Sequence, residues 1–185
     1  MSTKVEATID DLYKVEGKAE LVNGEIILMS PTGVLPGYAA GEIFTSLRNY
    51  SKQRKVGHAL PDNVAFKVDL PHRRSFSPDV SFYTGNLTMK FAEGAPVFAV
   101  EVRSDGDYGS RAERNMAKKR DEYFAAGTLV VWDVDLRSHD VVRVYRATDP
   151  AACIFYRRGQ LAEAEPAVPG WTMPVDDLFP EDYEG

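Results

Sequence analysis

The stretch VFAVEVRSDGDYG (residues 97–109) decides how the rest of the sequence is interpreted. Its first six residues are apolar apart from Glu101, and such a run predicts a central strand that is covered on both faces. A carboxylate inside a buried strand is costly unless a cation compensates its charge. Glu101 is therefore the first candidate functional residue.

The segments around this strand alternate between strand and helix patterns. A short strand is expected at residues 79–83 and a helix at 110–126, with Gly127 as its stop. A capping box formed by Ser110 and Glu113 would satisfy the first free amides of that helix. Three further strands are expected at residues 129–134, 140–146 and 152–156. The middle of the chain thus runs strand, strand, helix, strand.

The N-terminal half contains two helix signals and one hairpin signal. Thr8 can cap a short helix, and Asn23-Gly24 between two apolar runs predicts a tight turn with positive φ. Further along, the patterns predict a loop at residues 31–37, a helix at 38–53, a strand with one wetter face around 64–68, and turns at 70–78. The C-terminal tail should add a last strand or turn and one helical turn.

Length and composition predict a single domain over residues 1–185, and the order of its strand and helix patterns predicts a mixed α/β class. The chain has 185 residues, of which 44% are hydrophobic and 27% charged, as is usual for a globular domain. No apolar run approaches the roughly 18 residues of a membrane span, and the polar N-terminus is unlike a secretory signal. We therefore expect a cytoplasmic protein without membrane contact, which agrees with its single cysteine, Cys153.

The net charge of −6 argues against a protein that coats nucleic acid indiscriminately, because such binding needs many lysine and arginine contacts to phosphate. Local basic patches are compatible with this total, although solvated charge is the simpler explanation of each. The candidate patches are residues 52–55, 72–74, 111–120 and 157–158.

Two interpretations of Glu101 follow from its neighbours. Residues two apart in a strand share a face, so Glu101 could form a simple ion pair with Arg103. Alternatively, Asp79 and Glu101 converge at one sheet edge if their strands are adjacent. Close carboxylates raise each other's pKa unless a cation lies between them, and their oxygens suit a hard ion such as Mg²⁺. Asp79 could also be only a cap at the start of its strand.

The predicted helix at 110–126 offers cations beside this edge. At 100° per residue, the stripe that faces the sheet consists of Ala112, Met116 and Tyr123. Lys119 borders this stripe on one side and Arg120 on the other, whereas Lys118 points into solvent. Helical geometry alone leaves the choice between Lys119 and Arg120 open.

The ordered set ELVNGE, SPDVSF, VFAVEVRS and KRDEYFAAGTLVVWDVD resembles the Uma2-like proteins, which belong to the restriction-endonuclease-like PD-(D/E)xK superfamily. The resemblance extends from about Ala19 to Phe179 and includes a closing PGW..PV..LF segment. It implies a central mixed sheet flanked by helices, with an additional N-terminal hairpin and C-terminal strands.

The resemblance also implies a set of site residues. In that superfamily an aspartate and a glutamate on adjacent strands hold a divalent ion, and a lysine positions the attacking water or the phosphate. These roles correspond to Asp79, Glu101 and Lys119, with the backbone carbonyl of Val102 as a further metal ligand. Glu20 matches an acidic residue near the first hairpin, as a further ligand or a supporting group; alternatively it is an exposed residue at the start of a strand.

Two positions depart from the pattern. The usual strand lysine is replaced by Arg103, which stays protonated and cannot exchange protons as a lysine can. Many family members carry a histidine followed by glycine at the start of the first long helix, where this sequence has Ala40-Gly41.

The leading hypothesis is an endonuclease that depends on Mg²⁺ or Mn²⁺ and hydrolyses DNA phosphodiester bonds. The alternative is a catalytically inactive member of the fold that acts as a nucleic-acid-binding or assembly module. A carboxylate-pair sugar hydrolase is a weaker hypothesis, because no aromatic platform stands in an obvious place. A homodimer is expected by default, since symmetric dimers are the commonest assembly.

Overall fold

A computed structural model describes residues 5–183 of the chain. Its helices are α1 (Ile9–Leu12), α2 (Val34–Arg54), α3 (Ser110–Ala125) and a 3-10 helix at Val175–Leu178. Its strands are β1 (Ala19–Val22), β2 (Glu25–Leu28), β3 (His58–Leu60), β4 (Phe66–Leu70), β5 (Arg73–Phe76), β6 (Val80–Tyr83), β7 (Ala92–Glu93), β8 (Phe98–Val102), β9 (Val130–Val134), β10 (Val142–Arg146), β11 (Asp149–Tyr156), β12 (Leu161–Glu163) and β13 (Thr172–Pro174). The mixed α/β class is confirmed.

The central six-stranded sheet has the order β11-β10-β9-β8-β6-β3. Strand β8 is antiparallel to β6 and parallel to β9, so the sheet is mixed as expected. Helix α3 connects β8 to β9, and such a connection between parallel strands must run back along the sheet. A residue late in β8 therefore faces the beginning of α3, and an earlier residue faces a later turn.

A second sheet has the order β2-β1-β5-β4-β7. Its first hairpin turns at Asn23 and Gly24 with φ of 51° and 69°, which confirms the predicted tight turn. The prediction of turns throughout residues 70–78 is wrong for the second half of that segment. Strand β5 lies there and pairs with β1 and β4, and its alternating burial was hidden by the charged Arg73 and Arg74.

The two faces of the six-stranded sheet carry different partners. Helix α2 and the C-terminal segments pack on one face, against Phe98, Val100 and Trp132. The opposite face contacts Tyr123 of α3 and the second sheet, through Ala99 and Val131. Because side chains alternate along β8, Glu101 shares the face of Ala99 and points toward α3.

The starts of both long helices differ from the prediction, that of α2 in its position and that of α3 only in its cap. Helix α2 starts at Val34 and not at residue 38, since Pro36 lies in the first turn, where a missing N–H costs nothing. Helix α3 has Gly109 as its N-cap, with φ of 91°, and lacks a side-chain cap. The predicted capping box is therefore wrong: the Glu113 carboxylate turns to Arg103 instead.

Strand β3 at the sheet edge was not predicted, because three residues are too few for a periodic signal. Within residues 5–183, no helix has the length and the apolar content that crossing a bilayer would require.

Candidate active site

A cavity of about 730 Å³ lies between the N-terminal hairpin, the end of β8 and helix α3. Ala112 and Met116 line it together with Lys119 and Tyr123. Of the predicted stripe on α3, only Tyr123 is fully buried against the sheets, whereas the first two residues face this cavity. The predicted site residues Glu20, Asp79, Glu101, Val102 and Lys119 all line the same cavity.

Asp79 lies immediately before β6, beside the end of β8. Its backbone N–H donates to the Val100 carbonyl at 3.1 Å, and its Oδ2 accepts from the Val102 N–H at 2.8 Å. The expected adjacency of the two carboxylate-bearing strands is confirmed by the pairing of Val80 with Val100. The second oxygen, Oδ1, contacts the Lys18 ammonium at 2.6 Å.

Glu101 is held from the side of α3. Its Oε1 accepts a hydrogen bond from the Tyr123 hydroxyl at 2.6 Å and contacts Lys119 Nζ at 2.8 Å. Burial raises the pKa of Glu101, Lys119 opposes this, and the negative charge of Asp79 adds to it, so that the pKa lies above its usual value. Glu101 is thus an acidic group whose ionised form depends on nearby cations.

Lys119 is the α3 cation that pairs with the carboxylates of the cavity. Its ammonium lies 2.8 Å from Glu101 and 2.9 Å from Glu20, with 18% of the side chain exposed. Burial by itself lowers the pKa of Lys119, but the charges of Glu101 and Glu20 outweigh it and raise the pKa above the usual value. Lys119 is consequently protonated and suited to stabilising negative charge.

Neither neighbouring cation pairs with Glu101 or Glu20, although Arg120 also lies at the cavity wall. Lys118 is exposed, as predicted. The Arg120 guanidinium stacks on the Tyr145 ring with 3.6 Å between its central carbon and the ring centroid. Tertiary packing thus resolves the choice that helical geometry left open.

Glu20 is buried, with only 3% of its surface exposed, so the alternative of an exposed strand-start residue is wrong. Its Oε1 accepts from the Ser77 N–H at 2.9 Å and contacts Lys119, while its Oε2 pairs with Arg73. Burial raises the pKa of Glu20, but Lys119, Arg73 and the Ser77 amide lower it below the usual value. With both oxygens engaged, Glu20 is placed to hold Lys119.

Arg103 does not pair with Glu101. Its guanidinium binds Asp133 through two hydrogen bonds of 2.8 and 2.7 Å and also bonds Glu113 at the start of α3. Asp133 and Asp135 in turn lie 3.8 and 3.4 Å from Arg143. The hydrogen bonds of Asp133 hold the pKa of Arg103 above its usual value despite burial. The simple ion-pair interpretation of Glu101 and Arg103 is therefore wrong.

These contacts form two separate groups. The cavity network consists of Lys18, Glu20, Arg73, Asp79, Glu101 and Lys119. The arginine network consists of Arg103, Glu113, Asp133, Asp135 and Arg143.

The donor set beside β8 suits a hard divalent ion in type. Asp79 and Glu101 supply carboxylate oxygens, and Mg²⁺ is commonly bound through one or two carboxylates with water and substrate phosphate completing its shell. Across residues 5–183, no group of three or more His, Cys, Asp or Glu side chains is arranged to hold a metal. The cavity would thus offer a divalent ion the carboxylates of Asp79 and Glu101, and the Val102 N–H at the cavity wall donates to Asp79.

Three residues of the site escaped the sequence reasoning. Lys18, Asp62 and Arg73 line the cavity, yet each lies in a turn-like or charged stretch without periodicity. The basic patch at residues 72–74 contained a signal for Arg73. Two adjacent arginines in a strand point to opposite faces of the sheet, so one of them is buried. No pattern marked Lys18 or Asp62.

The position of the missing histidine is remote from these groups. Ala40 lies in α2 and packs against the core on the other face of the sheet. It is not among the residues that line the cavity.

Comparisons with known proteins agree with this architecture. A crystal structure of a protein from Anabaena variabilis, described as a "putative nuclease belonging to DUF820", superposes with a TM-score of 0.73 and 19% sequence identity, over 93% of this chain and 97% of that one. At this identity the likeness concerns the fold. A search of curated proteins found no match to the sequence. Residues 8–176 match the Uma2 family, whose description is "Putative restriction endonuclease". The chain belongs to the Uma2 family.

Proposed function

We propose that this protein is an endonuclease that hydrolyses DNA phosphodiester bonds with a divalent metal ion, Mg²⁺ or Mn²⁺. The observation that carries the proposal is the convergence of Asp79, Glu101 and Lys119 on one cavity, with Lys119 bonded to Glu101 at 2.8 Å. Membership of a family described as restriction endonucleases supports the same reaction class.

In this proposal Asp79 and Glu101 hold the ion, together with the carbonyl of Val102. When bound, the ion lowers the pKa of water and neutralises negative charge that develops on the phosphate. Lys119 contributes a fixed positive charge, because it stays protonated between two carboxylates. Glu20 keeps the Lys119 ammonium in place, and the Tyr123 hydroxyl orients Glu101.

The charge of the cavity itself does not account for DNA binding. Its lining includes five cations and six carboxylates, so it is not basic. The cations are Lys18, Arg73, Arg103, Lys119 and Arg120, and the carboxylates are Glu20, Asp62, Asp79, Glu101, Asp107 and Asp133. Contacts to DNA phosphates must then come mainly from outside the cavity.

A basic stripe on the exposed side of α3 can supply such contacts. We define the α3 stripe as Arg111, Arg114 and Lys118, which lie at helical spacing on the side turned away from Tyr123. All three are exposed, and none forms an ion pair with another residue in the described part of the chain. The α3 stripe points away from the side of α3 that lines the cavity, so in the proposed complex it binds DNA backbone beyond the cavity, on the outer side of the helix.

Cleavage of supercoiled plasmid in the presence of Mg²⁺ or Mn²⁺ tests the proposal. We expect Glu101→Gln and Lys119→Met each to lower the cleavage rate by about 100-fold or more, as loss of one group that stabilises a transition state commonly does. Lys52→Met is the matched control for the lysine, since Lys52 is exposed on α2, across the sheet from the cavity. Circular dichroism of each variant separates loss of activity from loss of folding.

The alternative, a non-catalytic binding module, has its own support. Every carboxylate of the cavity network has a cationic partner, as a purely structural network would. Equal cleavage by wild type, Glu101→Gln and Lys119→Met would reject the nuclease mechanism, and DNA binding without cleavage would favour the module.

The expected homodimer stays a prediction. Strand β11 lies at the edge of the six-stranded sheet with Ile154 and Phe155 half exposed, and it is the surface to examine first.

A further inference from the structure

Lys18 is a cation of the candidate site that neither the sequence patterns nor the family resemblance singled out. It lies just before β1, and its backbone carbonyl accepts a hydrogen bond from the Met29 N–H at the open end of the first hairpin. Its side chain is 15% exposed and its ammonium bridges two carboxylates, 2.6 Å from Asp79 Oδ1 and 2.7 Å from Asp62 Oδ1. The ammonium is thus directed into the cavity by a fixed backbone.

The position of this ammonium matters because of the second oxygen of Asp79. Oδ2 already accepts the Val102 N–H, so Oδ1 is the oxygen that is free of backbone contacts. A divalent ion that binds Asp79 through Oδ1 would lie within a few ångströms of the Lys18 ammonium. Two cations on one carboxylate oxygen repel each other strongly where water is scarce.

Asp62 is the second carboxylate with which the Lys18 ammonium pairs. Its side chain is 51% exposed in the turn after β3, whereas that of Asp79 is 22% exposed. Lys18 can therefore leave Asp79 and keep an ionic partner nearer to solvent, with little movement of its backbone.

We propose that Lys18 is a tethered cation that holds the place of the divalent ion on Asp79 and moves away when the ion binds. This inference rests on the proposed metal site of Asp79 and Glu101, but not on cleavage of DNA. In the metal-free protein Lys18 neutralises Asp79 and keeps its carboxylate in position. In the metal-bound protein the ammonium stays with Asp62 at the cavity mouth, where it can meet a substrate phosphate.

Isothermal titration of Mn²⁺ into the full chain measures the competition. Lys18→Met should bind Mn²⁺ about tenfold more tightly than wild type, because the competing charge is gone. Lys14→Met is the matched control, because the Lys14 side chain is 73% exposed and pairs with Asp11. This variant should bind Mn²⁺ with the affinity of the wild-type protein. Unchanged or weaker binding by Lys18→Met would overturn the proposal.

A second measurement needs no variant and follows the ammonium itself. Acetic anhydride modifies free lysine amines, and mass spectrometry reports the extent of modification at each lysine of the wild-type protein. With saturating Mn²⁺ the reactivity of Lys18 should rise severalfold, while exposed Lys118 should not change. A Lys18 that stays equally protected, or a wild-type protein that binds no Mn²⁺, would also overturn the proposal.

The two proposals fail in different ways. Mn²⁺ binding with release of Lys18 but without plasmid cleavage would leave the role of Lys18 standing and reject the nuclease. Mn²⁺-dependent cleavage with Lys18 still protected would do the reverse.

Discussion

The cavity network and the arginine network both border the α3 face of the six-stranded sheet, but they differ in their exposure to water. In the arginine network, Arg103 and Asp133 have side chains that are only 1% and 4% exposed. In the cavity network, Lys119 and Glu101 are 18% and 23% exposed. Arg103 and Asp133 reach the cavity wall but are nearly sealed from water, whereas Lys119 and Glu101 are partly open to it, so the second pair can exchange partners with a ligand more readily.

The cations of the two networks also differ in how they bind carboxylates. Arg103 binds Asp133 with two parallel hydrogen bonds, a rigid fork that fixes one geometry. Lys18 and Lys119 are point charges on flexible stems, and each bridges two carboxylates. We infer that the arginines lock β8, β9 and α3 together, while the lysines balance charge in a site that must remain adaptable.

Glu101 and Arg103 belong to different networks although they are two residues apart on one face. Since α3 runs back along β8, Arg103 meets Glu113 in the first turn, and Glu101 meets Lys119 more than a turn later. The direction of the helix thus explains why Arg103 does not neutralise Glu101.

The largest effect that tests this comparison is expected in the arginine network. Arg103→Met should lower the free energy of unfolding by about 3–5 kcal/mol, because it leaves Asp133 buried without its main cation. Urea denaturation followed by circular dichroism measures the change.

Two companion variants complete this test. Arg137→Met is the control, because Arg137 forms an exposed pair with Asp105 and should contribute little. Arg103→Lys should fall between them and should not increase cleavage, although it restores the strand lysine, because position 103 faces Asp133. A loss in Arg103→Met no greater than in Arg137→Met would contradict a structural role.

A smaller effect is expected at the boundary of the cavity network. Tyr123→Phe removes the hydroxyl that donates to Glu101, and we expect it to lower the free energy of unfolding by about 1.5 kcal/mol. Glu101 keeps Lys119 as a partner, so the loss should be well below that of Arg103→Met. The same denaturation measurement applies, and a loss equal to that of Arg103→Met would show that the two networks do not differ as inferred.

The smallest effect per residue should come from cations that belong to neither network. Arg114→Ala in the α3 stripe should weaken DNA binding similarly for all sequences and reduce the slope of log affinity against log salt by about 1. Fluorescence anisotropy of a labelled duplex at several salt concentrations measures this. Arg48→Ala, on α2 across the sheet, is the control. An unchanged slope in Arg114→Ala would exclude this part of the α3 stripe from the DNA interface.

Much of the fold could be predicted from local patterns. The apolar run around Glu101, the Asn23-Gly24 turn and the period of α3 each report on their own segment, and the structure confirms these elements. The predictions were wrong where a charged side chain pairs with a residue of another helix or strand. Glu113 left the predicted capping box for Arg103, and Arg73 made a strand resemble a turn.

Local sequence patterns already limited which residues could meet at the site. Alternation along β8 put Glu101 on the α3 face, the spacing of α3 kept Lys119 at the edge of its buried stripe, and Pro78 set Asp79 at the start of its strand. The pairing of the charges, in contrast, follows from the packing of the folded chain. Pairing across elements depends on how the hairpin, the sheet and the helix pack, and this buried Glu20, turned Arg103 to Asp133 and placed Lys18 on Asp79. Pairing between distant segments produces no periodic pattern in the sequence, because each partner is a single charged residue in its own segment.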